Sequence, residues 1–162
     1  MPNSATEKTK SGRKKALFIF MSSVMLLSVV IVWVGFFYRP SDLVTMKVKD
    51  RSDAAKTFQL RKATTPAEQE KGLSGTTNLA HQTGMIFIFQ RPTNLCFWMK
   101  EMNYPIDMVW VDSDKKVVAV EANVSPKTYP EQSFCHEGKY VIEVPANAAK
   151  KSGITKGSRL TF

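Results

Sequence analysis

The chain has 162 residues, with 23 Lys and Arg against 14 Asp and Glu, a formal net charge of +9. That length suits one modest domain with an extension. Residues 1–15 hold Lys8, Lys10, Arg13, Lys14 and Lys15 against Glu7, a net of +4, so part of the basic balance belongs to a short tail rather than to a nucleic-acid-binding face. Zinc-finger spacing, an aromatic–basic RNA-binding pattern and a helix-turn-helix with a basic second helix are all missing, and nucleic acid is set aside as a partner.

Residues 16–37, ALFIFMSSVMLLSVVIVWVGFF, form a run of 22 without a charge or a proline. As a helix the run would reach about 33 Å, enough to cross a hydrocarbon core. Lipid leaves backbone polar groups no other partner, so a helix is the expected form. The basic residues precede the run and only Arg39 closely follows it, which predicts a cytoplasmic N-terminus and an extracytoplasmic C-terminal domain, periplasmic or extracellular. A cleaved secretory signal would have a shorter apolar region ending in small residues; GFFYRP is a poor cleavage site, and an uncleaved signal anchor is the preferred reading. The organisation expected is a basic cytoplasmic tail over 1–15, a transmembrane anchor over 16–38, a linker or edge strand over 39–55 and an exported domain over 56–162.

Within 39–55 the patch LVTMKV alternates and reads as an edge strand or part of a tether. TFQLR, residues 57–61, alternates like a half-buried strand. TTPAEQEKGLSG predicts a short helix: Thr65 is a good N-cap, Pro66 fits the first position, Glu68 completes a capping box, and Gly72 can end it at positive φ. MIFIF, residues 85–89, is an apolar run between Gly84 and Pro92 and reads as a buried strand; residues 96–100 read as another. Residues 108–112 and 117–121 around the turn SDKK suggest a hairpin. KYVIEV, residues 139–144, alternates again; residues 145–152 read as a short helix closed by Gly153, and 157–162 as a last strand. The sum is a compact α+β domain, mainly antiparallel sheet with barrel-like curl and two short helices.

Cys96 and Cys135 are the only cysteines. An even pair in an oxidising compartment points to a disulfide, and closing a loop of about 40 residues would be worth ~4 kcal/mol in the chain-entropy view. A metal reading would draw on Cys96, Cys135, His136, His81, Met99 and Met102. No pair among them has zinc-ligand spacing, and adjacent Cys135 and His136 would point to opposite faces of a strand, so no metal or other cofactor is expected. His136 reads as an exposed loop residue.

EKGLSG, TGMIFIF, FWMKEMNYPIDMVWVD, VSP and KYVIEVPANAAKKSGI, in this order, resemble the family catalogued as domain of unknown function 192. The resemblance covers residues 58–162. The family often has GLM where this chain has Gly72-Leu73-Ser74, and Asn-Thr where it has Glu101-Met102. The resemblance implies a compact, mainly β domain, often behind a membrane or secretion segment, and no established activity.

The candidate site lies in CFWMKEMNYPIDMVWV, residues 96–111. Trp98, Lys100, Asn103 and Asp107, with Glu143 from the later strand, could frame a concave mouth for a polar envelope ligand. A purely structural alternative has Asp107 accepting backbone N–H groups to hold its turn, with Lys100 as its ion-pair partner or that of Glu143. No nucleophile–His–acid pattern, G-x-S-x-G or H-E-x-x-H is present. Three functions fit: a binding or accessory module at the cell envelope, the leading one; a hydrolase acting on envelope carbohydrate or peptide through Asp107 and Glu143; and an assembly partner receiving another protein's strand.

Overall fold

The computed structural model describes residues 42–48 and 56–162. The expected tail and membrane anchor, and most of the linker, lie outside the described residues. No helix among the described residues is long and apolar enough to cross a membrane.

The chain runs β1 (Leu43–Val48), β2 (Lys56–Ala63), α1 (Pro66–Lys71), β3 (Thr83–Phe97), β4 (Ile106–Val111), β5 (Val117–Val124), a 3₁₀ turn at Pro126–Thr128, β6 (Phe134–Pro145), α2 (Ala148–Lys151) and β7 (Leu160–Thr161). The strands form one sheet in the order β5-β4-β6-β3-β2-β1-β7. Every pairing is antiparallel except β2 with β3. The sheet curls until the approach to β7 meets the start of β5: Lys116 bridges Arg159, and the Val117 N–H donates to Ser158 O at 2.8 Å. The α+β class with a curled, mainly antiparallel sheet and two short helices is as the sequence predicts.

Both faces of this sheet are buried, which explains strands that are apolar throughout. All six residues of β4 are buried. One face carries Ile86, Val109, Val111, Ile142 and Val144 into a core closed by Ala149 of α2. The other carries Met85, Phe87, Met108, Trp110 and Val141 into a second core with Leu73 and Met99 from the connections. Alternation assigns neighbours along each strand to opposite cores.

The structure corrects several details. Residues 85–89 and 96–97 belong to one strand, β3; its register against β6 slips between Ile88 and Thr93, and Pro92 sits inside that irregular stretch, where no ladder N–H is required. Trp98 to Lys100 lie beyond the strand's end. β1 is neither edge nor tether, since β2 pairs on one side and β7 on the other. The second helix starts at Ala148, because Asn147 before it takes a left-handed φ of 64°. His136 is in β6, not in a loop. Gly84 has a steric reason to be glycine: a Cβ there would lie 2.3 Å from the Glu143 carbonyl oxygen.

Cys96 and Cys135 face each other across β3 and β6 and form a disulfide, 39 residues apart in sequence. The bond pins the outer halves of both strands, beyond the register slip. Replacing both cysteines by serine should lower the unfolding free energy by about 2–5 kcal/mol, read by chemical denaturation without reductant. Unchanged stability would mean that the strand ends are already fixed by the ladder alone.

Candidate functional site

The site begins with the crossover from β2 to β3. Thr65 caps α1: its Oγ accepts the Glu68 N–H at 3.3 Å, and Glu68 Oε2 accepts the Thr65 N–H at 2.9 Å. These backbone bonds hold the Glu68 carboxyl below its ordinary pKa. Gln69 Nε2 donates to Ile88 O at 2.9 Å and ties the helix to β3. The helix ends at Gly72 with φ 48°, where a Cβ would also come within 3.2 Å of the Phe87 ring.

The segment after the helix is joined to the segment after β3. Ser74 Oγ donates to Lys100 O at 2.8 Å, the Gly75 N–H to Glu101 O at 2.9 Å, and Asn103 Nδ2 to Thr76 O at 2.8 Å. Together the two segments roof a cavity of about 310 Å³ over β3 and β6. Phe87, Phe89, Phe97, Trp98 and Met102 supply its apolar wall, and Glu143 also lines it. Phe87 and Phe97 meet edge to face, 4.7 Å between centroids. Trp98 is 46 % exposed, so it belongs to the rim rather than to the core.

Glu143 is 5 % exposed, and its Oε2 has no hydrogen-bond partner. Its cross-strand neighbours are Met85 and Met108, neither able to compensate a charge. Burial raises its pKa to about 8, so at neutral pH it is mostly a protonated acid in an apolar setting.

Asp107 has the opposite fate. It is fully buried, and its oxygens are spent on backbone donors: Oδ1 accepts from Asn123 N at 2.7 Å and Asn147 N at 2.9 Å, and Oδ2 from Ala149 N at 2.9 Å. It thus caps α2 from another strand and holds two asparagines at positive φ, 53° and 64°. The ladder pairs Asp107 with Val144 and Met108 with Glu143, so the two acids point to opposite faces. The expected mouth is therefore corrected. Trp98 and Glu143 share the cavity, Asn103 braces its roof, and Lys100 borders a neighbouring depression with Glu70 and Ser74. Asp107 is on the far side of the sheet, because a one-residue offset reverses the face. The same offset separates the carboxylates that a two-acid hydrolase would need.

The sequence reading missed the crossover as a functional wall, and it missed a second feature. His136 Nε2 lies 2.7 Å from Glu121 Oε1, and its ring sits edge-on to Trp110, 4.8 Å between centroids. This pair borders an open depression of about 450 Å³ with Lys150 and Lys156. No residue spacing announces it, since Glu121 and His136 meet only through β4. Among the described residues no group of three or more His, Cys, Asp or Glu is placed to hold a metal.

A curled, mainly antiparallel sheet with a roofed, aromatic-walled cavity over one buried acid defines the class of domain. The chain belongs to the family of domain of unknown function 192, described as an uncharacterized ACR, which it matches over residues 46–162. Four of the stretches quoted for the resemblance contribute to the cavity lining: Gly72 from EKGLSG, Phe87 from TGMIFIF, Trp98 from FWMK and Glu143 from KYVIEVP. Among solved structures it is similar to a protein of unknown function from Novosphingobium aromaticivorans DSM 12444, at 31 % identity and a TM-score of 0.68, covering 74 % of this chain and 85 % of that one. It is also similar to a protein of Sinorhizobium meliloti 1021 provisionally described as a transcription regulator, at 26 % identity and a TM-score of 0.67, covering 72 % of this chain and 91 % of that one. No curated protein matches the chain.

Glu143 has a measurable consequence. Folded, it keeps its proton to about pH 8; unfolded, it loses it near the ordinary value of 4.5. Its stabilising contribution is therefore complete below about pH 4.5 and is lost as pH rises to about 8. Between those limits the native state binds more protons, and stability falls by about 1.4 kcal/mol per pH unit from this group. Unfolding free energies of the wild type minus those of Glu143→Gln should drop by about 3 kcal/mol from pH 5 to pH 8. A difference that stays flat over that range would show that Glu143 ionises normally in the fold.

Proposed function

We propose that the domain is a small-ligand binding module, held outside the membrane by residues 16–38, with the roofed cavity as its site. The observation that carries this reading is Glu143: a nearly buried acid with an unpartnered oxygen lining an aromatic cavity. An unpaired buried polar group costs free energy, and such groups concentrate where a ligand completes them. The cavity's size is at the lower end of small-molecule sites, and its few polar groups among apolar walls fit that class.

The tether rests on the uncharged run over 16–37 and the basic residues before it. The description attached to one structural neighbour does not favour a nucleic-acid reading here. The described helices are six and four residues long, too short to place a recognition helix in a groove.

Two experiments test the proposal. Small neutral amides, alcohols, amines and carboxylates, titrated in turn and followed by methionine methyl resonances, should shift Met102 at the cavity and leave Met46 in the opposite core unmoved. If no fragment moves Met102, the cavity is not a ligand site. Alkaline phosphatase fused after Phe162 should be active in cells, and a green fluorescent protein fused there dark. The reverse pattern would put the domain inside the cell.

A further inference from the structure

We propose that the cavity takes an organic ammonium head, seated among the Phe87, Phe89, Phe97 and Trp98 rings with Glu143 as its counter-ion. The inference rests on the cavity being a ligand site and specifies the chemistry of its occupant. Four aromatic side chains line one small cavity with one buried acid, Glu143, while Glu70 and Lys71 stand exposed on its lining. Ring faces carry negative quadrupole and attract a cation, most strongly when water is excluded.

The polar groups on the wall argue against a sugar. Gln69 Nε2 is already donated to Ile88 O, and Ser74 Oγ to Lys100 O. Among the uncharged polar groups of the wall a polyhydroxyl ligand would find few free donors, with Lys71 at the exposed side as the charged exception, whereas an alkylated ammonium needs only ring faces and one counter-charge. Other charges near the acid are accounted for. From α1, Glu70 and Lys71 line the cavity with opposite signs. From β2, Arg61 reaches Gly72 O at 3.4 Å and Met85 Sδ at 3.7 Å. From β3 and β4, the cross-strand neighbours of Glu143 are Met85 and Met108.

Binding is coupled to a proton. Free Glu143 is protonated at neutral pH because burial disfavours its charge. An incoming cation favours the carboxylate, so the proton leaves Glu143 for the solvent as the ion pair forms. Charge balances: one ammonium enters and one proton departs.

The test uses the full chain in a non-ionic detergent at pH 7. Calorimetric titration compares choline with 3,3-dimethyl-1-butanol, its uncharged carbon isostere, in two buffers of different ionisation heat. Choline should bind at least about tenfold more tightly than the isostere and release close to one proton per site. Glu143→Gln, with folding checked by near-ultraviolet circular dichroism, should abolish both the preference and the release. Trp98→Phe should weaken choline severalfold and leave proton release intact. Equal binding of the isostere, choline binding without proton release, or no choline binding each overturns the ammonium assignment. If neutral fragments still shift Met102 in that case, the cavity stands as a ligand site with another occupant. If nothing shifts it, both readings fall.

Discussion

β2 and β3 run side by side in the same direction, and much of the rest follows from that pairing. A hairpin cannot join parallel strands; the chain must leave the sheet, cross a face and return. Residues 64–82 make that crossing. They contain α1, its capping box and the Gly72 turn, and they put Leu73 into the core on that face. The crossing turns an open sheet surface into a roofed cavity. An antiparallel β2–β3 pair with a tight turn would have left out the wall that Gln69 to Ser74 supply beside Glu143.

The same constraint explains what the sequence revealed. The capping box was legible because its two residues, Thr65 and Glu68, act within one turn. The β4–β5 hairpin was legible because the apolar run Met108–Val111 and the polar turn after it are local signals. The parallel pairing was not, since β2 and β3 carry the same alternation in either direction. Glu143 was misleading for a related reason. In KYVIEV it occupies the polar beat of an alternating strand, which suggests a solvated face. That face is covered by segments about 40 and about 70 positions earlier in the chain, around Trp98 to Met102 and Gln69 to Ser74. Pro92 misled in the opposite way: it marks a slip inside β3, not its end.

Asp107 and Glu143 show how one residue of register decides the chemistry of an acid. Asp107 accepts three backbone N–H groups, which suffices to keep a buried carboxylate in place. It fixes the β5 irregularity, the β6–α2 turn and the start of α2 together, so the proline–isoleucine–aspartate motif is a latch. Glu143, one position over on the neighbouring strand, faces methionines and rings. The latch contributes to the fold; the second acid works against it at any pH where its unfolded counterpart is ionised.

That opposition is the reason to read Glu143 as functional. A methionine of similar volume at this position would join Met85 and Met108 in one apolar row and remove the cost of an unpaired buried oxygen. This chain nonetheless carries an acid there, under a roof assembled from two connections that also deliver Leu73 and Met99 to the core. Stability alone selects against that arrangement, whereas a site that must stay empty, apolar and acidic until a partner arrives requires it. On the proposed reading, part of the ligand's binding energy goes into ionising Glu143. Affinity then rises with pH toward about 8, while the stability of the empty domain falls over the same range. The unliganded fold and the liganded one thus lean on the same proton in opposite directions.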